Sequence, residues 1–175
     1  MSNTYKLLTP SEQLGLLRSP GVQKRLWDKV RITDECWYWT GAVTVQGYGR
    51  FRVMDTLLSP YRVVFELTYG AIEPGVDIDH MCFTPACVNP EHLRPTTRKQ
   101  NMEHLRGPNK RSTSGIRNVS WVKARNKWHV CVGHNGKNFH GGSYANLVDA
   151  EVAAKALRRE LYTHDDYEHW TRATS

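Results

Sequence analysis

Residues 79–93 read Asp-His-Met-Cys-Phe-Thr-Pro-Ala-Cys-Val-Asn-Pro-Glu-His-Leu. Within this segment Cys82, Cys87 and His92 have the ligand types and short spacings of a structural zinc site, where thiolates and an imidazole form a tetrahedron. The alternative is that both cysteines are small buried residues or form a disulfide. The histidine at the end of the segment favours zinc, which would fix the conformation of this loop. A closed zinc site requires a fourth ligand.

A second set of polar residues is interleaved with the first. Residues 76–80 have the composition of a short strand, so Asp79 and His80 are expected on opposite faces. His80 has an ordinary pKa of ~6.5, which suits a general base near neutral pH. Asp79 and Asn101 offer a carboxylate and an amide oxygen to Mg²⁺ (or Mn²⁺), leaving positions open for water and phosphate. A lone histidine would more often be structural, but Asp79 and Asn101 beside it favour phosphodiester hydrolysis.

The charge of this 175-residue chain is concentrated in one segment. The formal net charge is +7, yet residues 1–94 are neutral and residues 147–175 carry −2. Residues 95–146 hold ten lysines and arginines against a single acidic residue, Glu103, a net of +9. A segment of this kind faces a polyanion, for which nucleic acid is the obvious choice. The alternative is a solubilising surface.

Composition and turn signals divide the chain into four parts. Residues 1–105 are predicted to contain N-terminal helices and the metal-binding unit. Residues 106–113 read as a basic linker rich in helix-breaking residues. Residues 114–165 are predicted to form a second small unit, and residues 166–175 a tail. Because each unit would bury only a small hydrophobic core, a bound structural metal would add stability.

The second unit is predicted to contain three strands and one helix. Residues 117–123 and 127–134 have strand composition, and Asn135-Gly136 is a strong hairpin turn into residues 137–140. Asn146 with Asp149 is expected to cap a helix to about Leu161. Its predicted buried stripe is Val148, Val152, Ala153, Ala156 and Leu157.

Both parts resemble known families. Asp79-His80, Cys82, Cys87, Asn89-Pro90-x-His92-Leu93 and Asn101 resemble the HNH (His-Me finger) endonucleases, particularly the zinc-containing His-Cys-box homing type. The preceding Cys36-Trp37-Tyr38-Trp39-Thr40-Gly41 and Gly47-Tyr48-Gly49-Arg50-Phe51 are similar to the segment that leads into this motif. The resemblance covers about residues 22–105 and implies a ββα-metal nuclease unit.

The HNH resemblance implies a role for each matching residue. His80 would be the general base, and Asp79 and Asn101 the ligands of the catalytic metal. Asn89 would support the site by holding the loop or orienting His80. An upstream cysteine of the family corresponds to Cys36, which is therefore the expected fourth zinc ligand.

Residues 114–162 resemble AP2-type DNA-binding domains through Trp128, Asn135-Gly136-Lys137 and the alanine-bearing helix. The resemblance implies a three-stranded sheet that enters the major groove of DNA. This sheet has fewer arginines than the plant-type domains, so the sequence does not predict which bases it would recognise. The expected DNA-contacting residues are Arg117, Trp121, Lys123, Arg125, Lys127, His129, Asn138 and His140, with Trp121 also a candidate for the core.

Phosphate clamping favours arginine, whose charge is permanent. Arg62 precedes the predicted catalytic strand and is the first candidate, followed by Arg50 and Arg52. For each of them a plain surface arginine is the alternative.

These observations predict an α+β, site-preferring endonuclease for double-stranded DNA, of the phage or mobile-element homing type. The alternatives are a zinc-stabilised DNA-binding regulator without catalysis and a structural or packaging-associated phage protein in which the nuclease unit is degenerate. No apolar run approaches the roughly 20 residues of a membrane span. The cysteines lie in a pattern typical of metal ligands, which favours a reducing compartment. We therefore expect the cytoplasm, that of a bacterial host if the protein is phage-encoded, rather than secretion. A monomer or weak dimer is expected, since one site per chain cuts one strand.

Overall fold

The computed structural model of the chain describes residues 4–104, 107–109 and 111–165. They form two compact units, residues 4–98 and residues 99–165. The structure is mixed α+β with small antiparallel sheets, as the sequence predicted. The division at residue 98 precedes the predicted boundary at residue 105, which lies outside the described residues, as does the predicted tail 166–175.

The first unit contains four helices and three two-stranded antiparallel sheets. The helices are α1 (Thr4–Leu7), α2 (Pro10–Leu17), α3 (Pro20–Trp27) and α4 (Pro60–Tyr69). The strands pair as β1 (Val30–Ile32) with β2 (Trp37–Trp39), β3 (Phe51–Val53) with β4 (Thr56–Leu58), and β5 (Asp77–His80) with β6 (Leu93–Thr96).

The helices of the first unit begin where local chemistry allows. The Thr9 hydroxyl accepts from the Glu12 backbone N–H, and the Glu12 carboxylate accepts from the Thr9 N–H, which is a complete capping box. Proline occupies the first turn of α2, α3 and α4, where no N–H is needed. The apolar run of residues 61–69, which composition alone leaves open between strand and helix, forms α4.

The core of the first unit packs its helices against the cysteine-bearing loop, residues 81–89, which precedes the 3₁₀ turn Pro90–His92. Leu17, Leu26, Phe51 and Val63 lie in this core, and Val88 belongs to the same cluster. Val88 is fully buried. Burial of an aliphatic side chain contributes about 1.5–3 kcal/mol, so Val88 holds the cysteine-bearing loop against the core.

A short helix, α5 (Arg98–Glu103), crosses the division between the units, and the second unit follows. It has a three-stranded antiparallel sheet in the order β7 (Val119–Val122), β8 (Lys127–His134) and β9 (Lys137–Tyr144). A helix, α6 (Leu147–Leu161), completes it. The Asn146 side chain accepts from the Asp149 N–H at 2.8 Å, so the predicted cap is confirmed.

The predicted buried stripe of α6 is wrong in register. Val148 and Val152 are 68% and 63% exposed, and Ala156 is also exposed, whereas Ala150, Ala154 and Arg158 are buried. Ala153 and Leu157 are half-buried against the sheet, as predicted. The small alanines let the helix approach Val130 and Trp128, so the largest apolar side chains do not mark the buried face. α6 is 15 residues long, and no described helix is long and apolar enough to cross a membrane.

Candidate active site and metal centre

The β5–β6 hairpin carries the two adjacent candidate residues. Its register pairs Asp79 with Arg94 and His80 with Leu93. Ile78 and Leu93 pack with Phe65 of α4 in a separate hydrophobic cluster, which fixes the hairpin against that helix. Asp79 and His80 are only 8% and 6% exposed. Buried groups of this polarity require polar partners, and both have them.

One backbone carbonyl orients the His80 ring. The Nε2 atom of His80 lies 2.9 Å from the carbonyl oxygen of Cys87. Because a carbonyl can only accept, Nε2 carries the proton, and in the neutral ring Nδ1 keeps its lone pair. Burial lowers the pKa of His80 below its ordinary value, which favours that neutral form. His80 is therefore prepared to accept a proton at Nδ1.

Two tyrosines that sequence reasoning missed flank the His80 ring. The ring centroid of Tyr61 lies 4.6 Å from that of His80, and the centroid of Tyr48 lies 5.9 Å from it. Tyr48 is positioned by Gly49, where an added Cβ would lie 2.8 Å from both Pro60 and Trp39. The sequence carried a signal, since Tyr48 stands between two glycines shortly before β3.

Asp79 forms an ion pair with Arg94, which sequence reasoning also missed. Nε and Nη2 of Arg94 lie 3.2 and 3.1 Å from the same carboxylate oxygen, Oδ2. The two side chains are 18% and 9% exposed, Arg94 being the more exposed. The hairpin register could have revealed this pair, because directly opposed residues of an antiparallel pair are neighbours.

Cys36, Cys82, Cys87 and His92 come together as a candidate metal centre. Their ligand atoms all lie within 4.8 Å of one another. His92 Nδ1 is 3.6 Å from the Sγ atoms of both Cys36 and Cys87. With Zn–S near 2.3 Å and Zn–N near 2.0 Å, a tetrahedral zinc places sulfur and nitrogen ligands about 3.6 Å apart. The three thiols and the imidazole therefore fit a structural zinc ion.

Strand pairing brings the distant Cys36 to this cluster. Tyr38 of β2 forms an antiparallel bridge with Cys87. The Val88 N–H donates to the Trp37 carbonyl and the Trp39 N–H donates to the Ala86 carbonyl, both at 2.8 Å. β2 thus runs along the cysteine-bearing loop, and Cys36, the residue just before β2, lies beside Cys87 and His92.

The thiols have opposed tendencies to ionise. The hydrogen bond with Cys87 lowers the pKa of Cys82 to about 5. The same contact raises the pKa of Cys87, and burial raises that of Cys36. Because thiolates this close repel one another, full ionisation of all three requires a cation among them. This electrostatic demand agrees with the zinc geometry.

The β5–β6 hairpin and the loop between its strands lie within a recognisable family domain. Residues 61–103 match a family model described as HNH endonuclease. Protein 3.8 of Escherichia phage T7 is 32% identical over 99 residues, which cover 57% of this chain and 80% of that protein. The chain belongs to the family of phage T7 protein 3.8. Residues 61–103 are its HNH endonuclease domain.

Two other phage T7 proteins are similar to parts of this chain. Protein 7.7 is 40% identical over 72 residues, which cover 41% of this chain and 55% of that protein. Protein 2.8 is 30% identical over 83 residues, which cover 46% and 56%. The chain thus spans little more than half the length of these two relatives. No solved structure matches the chain.

The remaining predicted residues of the HNH site have distinct surroundings. Asn89 is buried, and its Oδ1 accepts from the Glu91 N–H at 3.0 Å, which fixes the 3₁₀ turn leading to His92. Arg62 is half-buried on α4, beside Tyr61, while Arg50 and Arg52 are exposed. Asn101 lies on α5, beyond the division between the two units. Its approach to His80 stays a prediction.

The outer face of the second unit's sheet, together with the turn before β8, carries six of the eight predicted DNA-contacting residues. Register places His129 opposite Ser143, Cys131 opposite His140, and Gly133 opposite Asn138. The rings of His129 and His140 are 5.2 Å apart. Lys127 begins β8, and Lys123 and Arg125 lie in the 3₁₀ turn before it, all three exposed. Cations therefore border a polar sheet face.

Two predicted contacts lie elsewhere in the second unit. Trp121 pairs with Trp128, so it shares the face turned toward α6, although it is 39% exposed. Arg117 has a side chain only 13% exposed and pairs with Asp165 at 3.4 Å. Its Nη1 donates to the Glu103 carbonyl at 2.8 Å. The surroundings of Arg117 indicate a structural role. Trp121 packs against Trp128 but does not belong to the hydrophobic cluster of this unit, so its assignment stays a prediction.

Proposed function

We propose that this chain is a metal-dependent endonuclease for double-stranded DNA, with His80 as its general base. The observation that carries the proposal is the His80 geometry inside an HNH endonuclease domain. The Cys87 carbonyl holds the proton on Nε2, so Nδ1 can take a proton from water. That water would attack the phosphorus atom of the scissile phosphodiester.

Asp79 and Asn101 are the proposed ligands of Mg²⁺ or Mn²⁺. Their carboxylate and amide oxygens are the hard donors that these cations prefer. The bound cation would polarise the phosphate and stabilise charge on the leaving oxygen. Arg62 is the proposed phosphate contact, and Asn89 the residue that holds the loop. Zinc at the Cys36–Cys82–Cys87–His92 cluster has a structural part in this proposal.

The second unit is the proposed DNA-holding part, with an AP2-like role. Its support is the net charge of +9 over residues 95–146 and the exposed cations beside the polar sheet face. Lys123, Arg125 and Lys127 would contact phosphates, while His129, Asn138 and His140 would face the bases. The likeness to phage proteins supports a phage or mobile-element nuclease, with the homing type as the finer proposal.

The decisive experiment compares DNA cleavage by the full chain and by His80→Ala. Loss of a general base typically costs about 10²–10⁴-fold, so His80→Ala should nick supercoiled DNA that much more slowly in Mg²⁺ or Mn²⁺. His164→Ala is the matched control, because it removes a half-buried histidine that lies outside both the HNH domain and the proposed DNA-contacting residues. At saturating DNA its single-turnover rate should stay near that of the unmodified chain.

Two results would contradict the proposal. One is equal cleavage by His80→Ala and the unmodified chain, with both retaining zinc. The other is tight DNA binding by the unmodified chain with no cleavage in either metal, which would favour the DNA-binding regulator instead. Since one site cuts one strand, nicked circles should accumulate before linear DNA.

A further inference from the structure

The carboxylate of the proposed cation site has a cationic partner within its own hairpin. Arg94 faces Asp79 directly across β5 and β6, and two of its nitrogens contact Oδ2 at 3.1 and 3.2 Å. The Asp79 side chain is 9% exposed and that of Arg94 is 18% exposed. Water therefore screens this pair poorly.

A divalent cation bound at Asp79 would be repelled by the positive charge of Arg94. Arg94 already donates to the carboxylate that would bind the cation. Two like charges a few ångströms apart in a poorly solvated site repel each other strongly. The guanidinium cannot relieve this repulsion by losing a proton, because arginine stays charged.

We infer that Arg94 keeps the cation site weak until DNA is bound. A DNA phosphate at the site brings the negative charge that offsets both Arg94 and the metal. Metal and DNA therefore bind cooperatively, each raising the affinity for the other by the same factor. The inference rests on the proposed function, in which Asp79 holds the cation. It follows that Mg²⁺ or Mn²⁺ does not fill the site while DNA is absent.

A neighbouring ion pair provides a matched control. Asp77 lies two residues before Asp79 on β5 and pairs with Arg98 at 3.6 Å. Arg98 is 81% exposed and Asp77 is 34% exposed. Removing Arg98 deletes the same charge from a carboxylate of the same hairpin, but from a solvated pair that salt and water screen.

The test measures Mn²⁺ affinity of the zinc-loaded full chain by electron paramagnetic resonance, without DNA and at low ionic strength. Arg94→Met should lower the Mn²⁺ dissociation constant about tenfold or more, because a unit positive charge leaves a poorly screened site. Arg98→Met should stay within about twofold, and Arg94→Lys, which keeps the charge, within about threefold. Asp79→Asn should abolish this binding and defines the background. Unchanged or weaker Mn²⁺ binding by folded Arg94→Met would overturn the inference.

A second measurement leaves Arg94 in place, in case Arg94→Met fails to fold. With the cleavage-defective His80→Ala chain, a DNA duplex should lower the Mn²⁺ dissociation constant about tenfold or more. The Asp79→Asn chain with the same DNA supplies the background, since DNA itself attracts Mn²⁺. No change on adding DNA would overturn the inference. Both measurements read metal binding rather than cleavage, so they can fail while the nuclease proposal stands, and the reverse.

Discussion

Cys87 serves two sites at the scale of a single residue. Its Sγ lies 3.6 Å from His92 Nδ1 in the thiol cluster, and its carbonyl accepts from His80 Nε2 at 2.9 Å. Movement of Cys87 therefore displaces the atom that fixes the His80 tautomer. A structural metal at the cluster would hold the base in position without touching the substrate.

Substitution of Cys36 tests this connection. Cys36→Ser should lose bound zinc and lower the melting temperature, because the closed site loses one of its four ligands. Cys131→Ser is the matched control, since Cys131 lies on the sheet of the second unit. Zinc measured by elemental analysis should stay near one per chain in Cys131→Ser and fall well below one in Cys36→Ser. Full zinc occupancy in Cys36→Ser would exclude Cys36 as a ligand.

Tyr61 provides a second prediction for a single residue. Tyr61→Ala removes the ring packed 4.6 Å from that of His80, and an aromatic pair contributes about 0.5–1.5 kcal/mol beyond its buried area. We expect slower single-turnover cleavage of bound DNA together with a lower melting temperature. Tyr61→Phe keeps the ring and should retain most of the rate. A rate in Tyr61→Phe as low as in Tyr61→Ala would mean that the hydroxyl acts instead of the ring.

At the scale of elements, β2 and α6 show how packing sets the surroundings of a residue. β2 lies along the cysteine-bearing loop through the Trp37 and Trp39 backbone hydrogen bonds. α6 turns Ala150 and Ala154 toward the sheet and leaves Val148 and Val152 in solvent. In both cases the deciding contact is with a segment distant in sequence.

The packing of α6 predicts that enlarging a buried alanine destabilises the protein more than truncating an exposed valine. Ala154 is fully buried, so Ala154→Leu should overpack the second unit and cost about 1–3 kcal/mol of unfolding free energy. Val152→Ala removes a largely exposed valine and should change that free energy by less than about 0.5 kcal/mol. Urea denaturation of the full-length variants, followed by circular dichroism, measures both. A larger loss for Val152→Ala would support the stripe expected from sequence.

At the scale of the whole molecule, the net positive charge lies in a different segment of the chain from His80, the proposed general base. Residues 1–94 are neutral overall, and residues 95–146 carry +9. Each phosphate contact releases counterions, so affinity for DNA should fall with salt at a log–log slope of about −0.9 per neutralised phosphate. The second unit should therefore dominate affinity, and the HNH domain the reaction.

Lys127→Ala tests this division. The slope of DNA affinity against salt should become shallower by about one, with weaker binding at every DNA sequence tried. Lys24→Ala is the matched control, because Lys24 is an exposed lysine of the first unit, paired with Asp28 at 2.7 Å. Fluorescence anisotropy with labelled duplexes over a range of salt measures both. Equal slopes in the two variants would show that Lys127 contacts no phosphate.

The sequence alone determined what depends on local chemistry. Cys82, Cys87 and His92 are close in sequence, and the Asn146 cap needs only its own first turn, so spacing was sufficient to predict them. The mixed α+β class and the HNH motif could be recognised for the same reason.

Tertiary structure decided what depends on contacts between distant segments. Cys36 reaches the cluster only because β2 pairs with the loop, and its assignment from sequence relied on family resemblance. The Tyr61 ring beside His80 and the Arg94 partner of Asp79 depend on α4 packing and on strand register. The buried face of α6 was mispredicted because hydrophobicity favours valine. The approach of helix to sheet instead favours the smaller alanine, and only the packed structure records that distance.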